Sequence, residues 1–153
     1  MPKNVCCFIG HREINENDEL RQHLYSIIEN LILEKNVDTF LFGSKSRFNS
    51  LCHELVTAAK EKHPHIKRIY VRAEFPLINE DYKSYLLESY EDTYYPEQII
   101  GAGKAAYVER NHHMVKNSCF CVFYYKENYS KRKSGTKLAL DYALKEDKRI
   151  ILI

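Results

Sequence analysis

Short apolar runs alternate with amphipathic stretches along most of this sequence, and that alternation restricts the fold more than any other feature. In the first half the apolar runs are residues 5–9, 39–42 and 69–71. Between them, apolar residues recur three and four positions apart, which is the spacing of one face of a helix. A strand–helix–strand–helix–strand order is typical of a parallel sheet wound with right-handed crossovers.

The second half of the chain continues the same pattern. Residues 105–117 are a helix candidate, and residues 119–125 form a continuous apolar run of the kind found in a central strand buried on both faces. A last helix starts near Ser134, and residues 150–153 are a final strand. We predict an α/β fold: a three-layer, Rossmann-like, doubly wound sheet of about five mostly parallel strands, with helices on both faces. At 153 residues we expect one domain spanning 1–153.

The stretch 73–100 breaks the pattern, and we predict an irregular insertion there. Its part 80–97 is acidic and shows neither clean helical nor clean strand periodicity. The interleaved tyrosines argue against disorder. Either the rings and carboxylates close over a nucleoside, or the stretch packs its rings on the domain or on a partner chain. The tyrosines are Tyr82, Tyr85, Tyr90, Tyr94 and Tyr95.

The composition and charge of the chain limit the binding partners and the cellular location that we expect. The net charge of +2 argues against general nucleic-acid binding, which usually accompanies a strong basic excess. No apolar run approaches a membrane span, and the N-terminus lacks a signal-peptide pattern, so we expect a cytoplasmic protein. The five cysteines lack Cys-x-x-Cys spacing, which favours small buried side chains over a redox or metal role. We expect neither a metal nor a cofactor.

Three strands end in loops suited to anions. Ser134 and Thr136 offer hydroxyl groups at the start of a helix, whose free N–H groups bind anions readily. Arg12 and Lys45 add charge to the other two loops. An alternative is that Ser46 and Ser134 simply cap helices and that Arg12 pairs with Glu13. Because the carboxyl ends of parallel strands share one edge, we predict a single site for a phosphate-bearing ligand there. The predicted residues are Gly10, His11, Arg12, Gly43, Ser44, Lys45, Ser134, Gly135 and Thr136, with Lys131, Arg132 and Lys133 nearby.

Over nearly its whole length the chain resembles the SLOG superfamily, Rossmann-like domains related to phosphoribohydrolases, and within it the DUF1273 and YpsA-like bacterial proteins. The motifs that carry the resemblance are Cys7-Phe8-Ile9-Gly10-His11-Arg12, Tyr94-Tyr95-Pro96-Glu97, Ala102-Gly103-Lys104-Ala105-Ala106-Tyr107, Arg110-Asn111 and Lys133-Ser134-Gly135-Thr136. The resemblance implies that Arg110 and Asn111 belong to the site, that the ligand derives from a nucleotide, and that the protein is a homodimer.

The resemblance does not decide between activities. The phosphoribohydrolase branch has a glutamate after the glycine loop, whereas this chain continues with Lys137, so a catalytic carboxylate would have to be Glu74, Glu97 or Glu109. Our leading hypothesis is a sensor or sequestering module for a nucleotide-derived or phosphorylated small molecule. The alternatives are an enzyme that cleaves or transfers at a nucleotide's N-glycosidic bond, and a protein-interaction module with a vestigial crevice.

Overall fold

The computed structural model describes residues 4–127 and 134–153, and in them the predicted α/β fold is confirmed. All the strands pair in parallel in one sheet of order β4-β3-β2-β1-β5-β6. The strands are β1 Val5–Gly10, β2 Thr39–Phe42, β3 Lys67–Val71, β4 Asp92–Tyr94, β5 Phe120–Tyr124 and β6 Arg149–Leu152. The helices are α1 Asp18–Leu33, α2 Arg47–Lys62, α3 Glu80–Leu87, α4 Ala106–Lys116 and α5 Gly135–Lys145. Two short 3-10 turns precede α4, at Glu97–Ile99 and Gly103–Ala105.

The sheet separates two hydrophobic layers because successive side chains of a strand point to opposite faces. Phe8 of β1 packs in the layer that contains buried residues of α1, α2 and α3. Its neighbour Cys7 packs in the other layer, with Met114 of α4 and Ala139 of α5. All five residues of β5 are buried, as the continuous apolar run predicted.

The order of the strands reverses beside β1. From β1 to β4 each new strand adds to the same side, whereas β5 returns to the free side of β1 and β6 lies outside it. The loops that follow β1 and β5 therefore leave the sheet in opposite directions. In open α/β sheets this reversal creates a crevice at the carboxyl ends of the strands, where ligands bind.

The stretch 73–100 is not irregular throughout, and this corrects the prediction. Residues Glu80–Leu87 form α3, capped by the side chain of Asn79, and Asp92–Tyr94 pairs with β3 as a sixth strand. The helix is hidden in the sequence because it is short and buries only Leu86. The strand is hidden because it has three residues at the edge of the sheet.

The buried arginine Arg72 holds the edge strand and the loop before α3 in place. Its guanidinium donates hydrogen bonds to Thr93 Oγ1 and to the carbonyl oxygens of Phe75 and Pro76. Burial lowers the pKa of Arg72 from its ordinary value. Each nitrogen of this guanidinium has a protein partner, so Arg72 has a structural role.

The described residues contain no helix that is long and apolar enough to cross a membrane. Within the same residues, no three or more His, Cys, Asp or Glu side chains are grouped to hold a metal ion. The cysteines are unpaired and all but Cys119 are buried, and burial raises the pKa of the Cys6 and Cys52 thiols.

Candidate functional site

A crevice of about 630 Å³ opens at the carboxyl edge of the sheet, where the order of the strands reverses. Every predicted site residue except Gly43 lines it, although the three loops are far apart in the chain. Lys131, Arg132 and Lys133, which we also expected there, lie outside the described residues. The predicted residues at the crevice are Gly10, His11, Arg12, Ser44, Lys45, Arg110, Asn111, Ser134, Gly135 and Thr136.

The side chain of Arg110 forms the floor of the crevice. The residue is only 3% exposed, and its Nε donates to Asn111 Oδ1 at 3.0 Å. One terminal nitrogen makes a long contact of 3.4 Å with the carbonyl oxygen of Val71. In the described part of the chain no carboxylate lies within ion-pair distance of this guanidinium. Burial lowers the pKa of Arg110, but an arginine remains charged at neutral pH. The fold thus buries a cation and leaves part of its donor capacity facing the crevice.

Gly43, the predicted residue that does not line the crevice, lies behind Arg110. A Cβ atom at Gly43 would come within 2.5 Å of Met114 Sδ and 2.7 Å of Arg110 Cδ. The position is a glycine because the arginine stem and the methionine pass directly over it. Gly43 therefore acts on the site through the position of Arg110.

Buried contacts of Gly10 and His11 shape the turn after β1. Gly10 has no positive φ, and its lack of a side chain makes room for Phe48, whose ring a Cβ would meet at 2.4 Å. His11 is 2% exposed, and its Nε2 accepts the backbone N–H of Lys126 at 2.9 Å. Burial lowers the pKa of His11, so the neutral ring joins the ends of β1 and β5 and adds no charge to the crevice.

Hydrogen bonds organise the loop after β2. Ser46 caps α2 by accepting the backbone N–H of Asn49, and Ser44 Oγ donates to Ser46 Oγ at 2.8 Å. The buried side chain of Asn49 donates to the carbonyl oxygen of Phe8 and accepts the backbone N–H of Gly43. Asn49 thereby fixes the loops after β1 and β2 relative to each other.

The N-terminus of α5 closes the opposite wall. Ser134 caps this helix by accepting the backbone N–H of Lys137 at 3.1 Å, so both proposed serine caps exist. Gly135 is the first helical residue, and the nearest atom to a Cβ placed there is Asn111 Nδ2 at 4.0 Å. A helix start of this kind presents backbone N–H groups and partial positive charge to a ligand.

The charged side chains at the rim are mostly cationic. Arg12 is exposed, and no carboxylate among the described residues pairs with it, so the alternative of an Arg12–Glu13 pair is not observed. Lys45 Nζ lies 3.8 Å from Glu74 Oε2, a distance at which an exposed ion pair contributes little. Glu74 is the acidic residue among those lining the crevice, whereas Glu97 and Glu109 do not line it.

Sequence reasoning missed Asn49 and Tyr107 as site residues. Asn49 lies on the buried face of α2, where a polar side chain indicates a specific hydrogen-bond partner, and that signal is readable in the sequence. The centroid of the Tyr107 ring lies 5.8 Å from the Arg110 guanidinium. This contact could be predicted only with the position and orientation of α4 already known. Glu74 was predicted only as one of three possible catalytic carboxylates, and the structure places it in the lining of the crevice.

The fold and the site together define a Rossmann-like parallel α/β protein with an anion-suited crevice at the strand-order reversal. No protein-family model and no curated protein sequence matches the chain. Among solved structures, the fold is similar to that of DNA processing protein A from Helicobacter pylori, with a TM-score of 0.62 and 16% sequence identity. The match covers 99% of this chain and 65% of the other. At this identity the likeness shows the fold alone.

The comparison corrects two predictions. DNA processing protein A from Helicobacter pylori has a single-stranded DNA binding mode. We expected a nucleotide-derived small molecule as the ligand and no general nucleic-acid binding, and the structural neighbour contradicts both expectations. Net charge was a weak basis for the exclusion, because a value summed over the whole chain says little about the local charge of one crevice.

Proposed function

We propose that this chain binds single-stranded nucleic acid by holding the phosphate backbone in the crevice. The observation that carries the proposal is Arg110, a guanidinium that is 3% exposed and has no carboxylate partner in the described residues. Burying a charge is costly unless it is paired. A phosphate group would complete the unused donors of this guanidinium and pair with its charge at hydrogen-bond distance, which Glu74, the carboxylate in the same crevice lining, does not do.

The other groups of the crevice suit a strand better than a single anion. Arg12 and Lys45 extend positive charge along the rim from the N-terminus of α5. Tyr107 offers a ring that is 52% exposed beside this charge. Proteins that bind single strands without sequence preference combine a positively charged groove with aromatic rings on which bases stack. The similar fold of a protein that binds single-stranded DNA supports the same proposal.

The test is fluorescence anisotropy of a short fluorescein-labelled oligothymidylate titrated with the purified chain. We expect saturable binding that weakens with salt, since single-strand binding loses about 0.7 in log K per log unit of salt for each phosphate neutralised. Arg12→Ala removes an exposed cation, and Gly135→Asp places a carboxylate at the N-terminus of α5, where space is open. Each variant should weaken binding about tenfold or more.

The matched control is Arg149→Ala. Arg149 is an exposed arginine at the start of β6, on the opposite edge of the sheet from the crevice. Its loss should leave the affinity within about twofold of the parent chain. Equal binding by all four proteins, or no binding by the parent chain, would refute the proposed site.

Other assignments accompany this proposal. The single domain over 1–153, membership of the SLOG superfamily, the homodimer and the cytoplasmic location stay predictions. A role of Arg12, Lys45, Ser134 and Thr136 in contacting phosphate is likewise proposed from their position at the crevice.

A further inference from the structure

A second cavity, of about 340 Å³, adjoins the crevice between α2 and α3. The two cavities share Ser44 and Lys45 as a common wall. The sequence prediction treated the tyrosines of this region as part of an irregular insertion, whereas the fold gathers several of them around this cavity. Its aromatic lining consists of Tyr70, Tyr82, Tyr85, Tyr90 and His53.

The rings form two flat walls. Tyr82 and Tyr85, one helical turn apart on α3, lie nearly parallel at 20° with centroids 6.2 Å apart. On the inner side, the centroid of the Tyr90 ring lies 5.2 Å from that of Tyr70 and 4.7 Å from that of His53. Tyr85 is 65% exposed, so one face of this stacked pair is open to a ligand.

The inner side of this cavity also carries hydrogen-bonding groups that stay uncharged. Burial raises the pKa of Tyr70 and Tyr90 to about 12, so both keep their O–H groups. His53 Nε2 lies 2.8 Å from the carbonyl oxygen of Ser89, to which it donates, and burial lowers the pKa of this ring. No tyrosine hydroxyl lining the cavity makes a hydrogen bond within the described residues. A flat, neutral ligand with polar edges matches this lining better than an anion does.

We infer that this tyrosine pocket takes one unstacked nucleobase of a strand whose backbone phosphates lie in the adjoining crevice, with Lys45 between the two. This inference rests on the proposed function. We choose a nucleobase as the occupant because the two cavities adjoin each other. A strand whose backbone lies in the crevice would bring its own bases to the shared wall. The volume of about 340 Å³ is at the small end of ligand pockets, which run from about 300 to 1,000 Å³, and is large enough to take one base.

The test compares two strands of equal length, an oligothymidylate and one whose nucleotides lack bases, in the anisotropy assay. Tyr85→Ala removes an exposed ring without opening the core, and stacking contributions of about 1–3 kcal/mol correspond to a roughly five- to hundredfold loss. We expect that loss for oligothymidylate and unchanged binding of the abasic strand. Tyr85→Phe should retain the parent affinity.

The control is Leu87→Ala, which shortens an exposed side chain of the same helix that does not line the pocket. It should change neither affinity. A loss in Tyr85→Ala that is equal for both strands would show damage to the crevice and overturn the base pocket, as would unchanged oligothymidylate binding. If the parent chain binds neither strand, the proposed function itself fails, which is a distinct result.

Photo-crosslinking locates the base independently of affinity. An oligonucleotide that carries 5-iodouracil reacts with aromatic side chains in contact with the base, and peptide mass spectrometry identifies the linked residue. A crosslink to Tyr82, Tyr85 or Tyr90 supports the pocket. A crosslink confined to Tyr107 would put the base in the crevice and overturn the inference.

Discussion

Replacing Arg110 with methionine should stabilise the fold while abolishing nucleic-acid binding. Methionine keeps most of the arginine stem that packs over Gly43 and removes the buried charge. Replacing a buried ion pair by apolar residues of similar volume is often neutral or stabilising by about 1–4 kcal/mol, and we expect a gain of that order here because burying an unpaired charge is also costly. Against this gain stand two lost hydrogen bonds, one of them 3.4 Å long, at about 1 kcal/mol each. We expect a net stabilisation of about 1–2 kcal/mol.

Thermal unfolding followed by circular dichroism measures this difference. For a chain of this size, 1 kcal/mol shifts Tm by about 2–4 °C, so Arg110→Met should unfold roughly 2–8 °C above the parent protein. A saturating oligothymidylate should raise the Tm of the parent protein, because a ligand at 100 times its Kd stabilises by about 2.7 kcal/mol, and should not raise that of the variant.

Arg72 supplies the matched control, since it is the other buried arginine of the described residues and all three of its nitrogens have protein acceptors. Arg72→Met leaves those acceptors without a hydrogen-bond donor and should therefore lower Tm. If Arg110→Met lowers Tm as much as Arg72→Met does, the Arg110 guanidinium is a structural group. That result would refute the inference that this guanidinium binds the phosphate of a ligand.

The same contacts give three further predictions. Gly43→Ala should weaken oligothymidylate binding at least tenfold in the anisotropy assay, because the new Cβ displaces Arg110 and Met114; parent-like affinity would show that the position of the arginine is not critical. Glu74→Gln removes the acid from the crevice wall and should tighten binding by a few fold at low salt, and a weaker complex would contradict this electrostatic account. Acid should destabilise the fold, because burial lowers the pKa of several histidines and the unfolded chain takes up protons near pH 6.5 before the folded chain does. Stability should therefore fall in urea titrations as the pH drops below about 6.5, and a flat profile down to pH 5 would be inconsistent with this. The histidines are His11, His53 and His113.

The sequence predicted the sheet well because its signal is carried by many residues at once. Continuous apolar runs and helical spacing recur over most of the chain, and a parallel sheet with helices on both faces is the arrangement that buries all of them. The edge elements α3 and β4 gave no such signal. Their positions depend on the tertiary fold, because β4 is held by its pairing with β3 and by the Arg72 hydrogen bond to Thr93, and α3 buries only Leu86.

Site residues could be predicted where neighbouring residues in the sequence form the feature. A serine before a glycine at a helix start, as at Ser134 and Gly135, can be recognised from the chain alone. Arg110 came from the resemblance only, because on a helix it looked like a solvated side chain. Its burial depends on Gly43 and Met114 meeting it from other elements. Gly10 was predicted as a site residue, whereas its lack of a side chain is required by a contact with Phe48 that no local pattern encodes.

The exclusion of nucleic acid, which the structural neighbour contradicts, rested on a quantity that describes the whole molecule. A net charge of +2 averages over surfaces that a ligand never meets. Some charges pair with each other outside the crevice lining: Glu16 receives two hydrogen bonds from Arg47, and Glu91 receives two from the Arg68 guanidinium. At the carboxyl edge of the sheet, the described cations and the N-terminus of α5 face one carboxylate. Since screening limits exposed charges to a range of about 8–10 Å, a strand in the crevice interacts with that local set and not with the sum over the molecule.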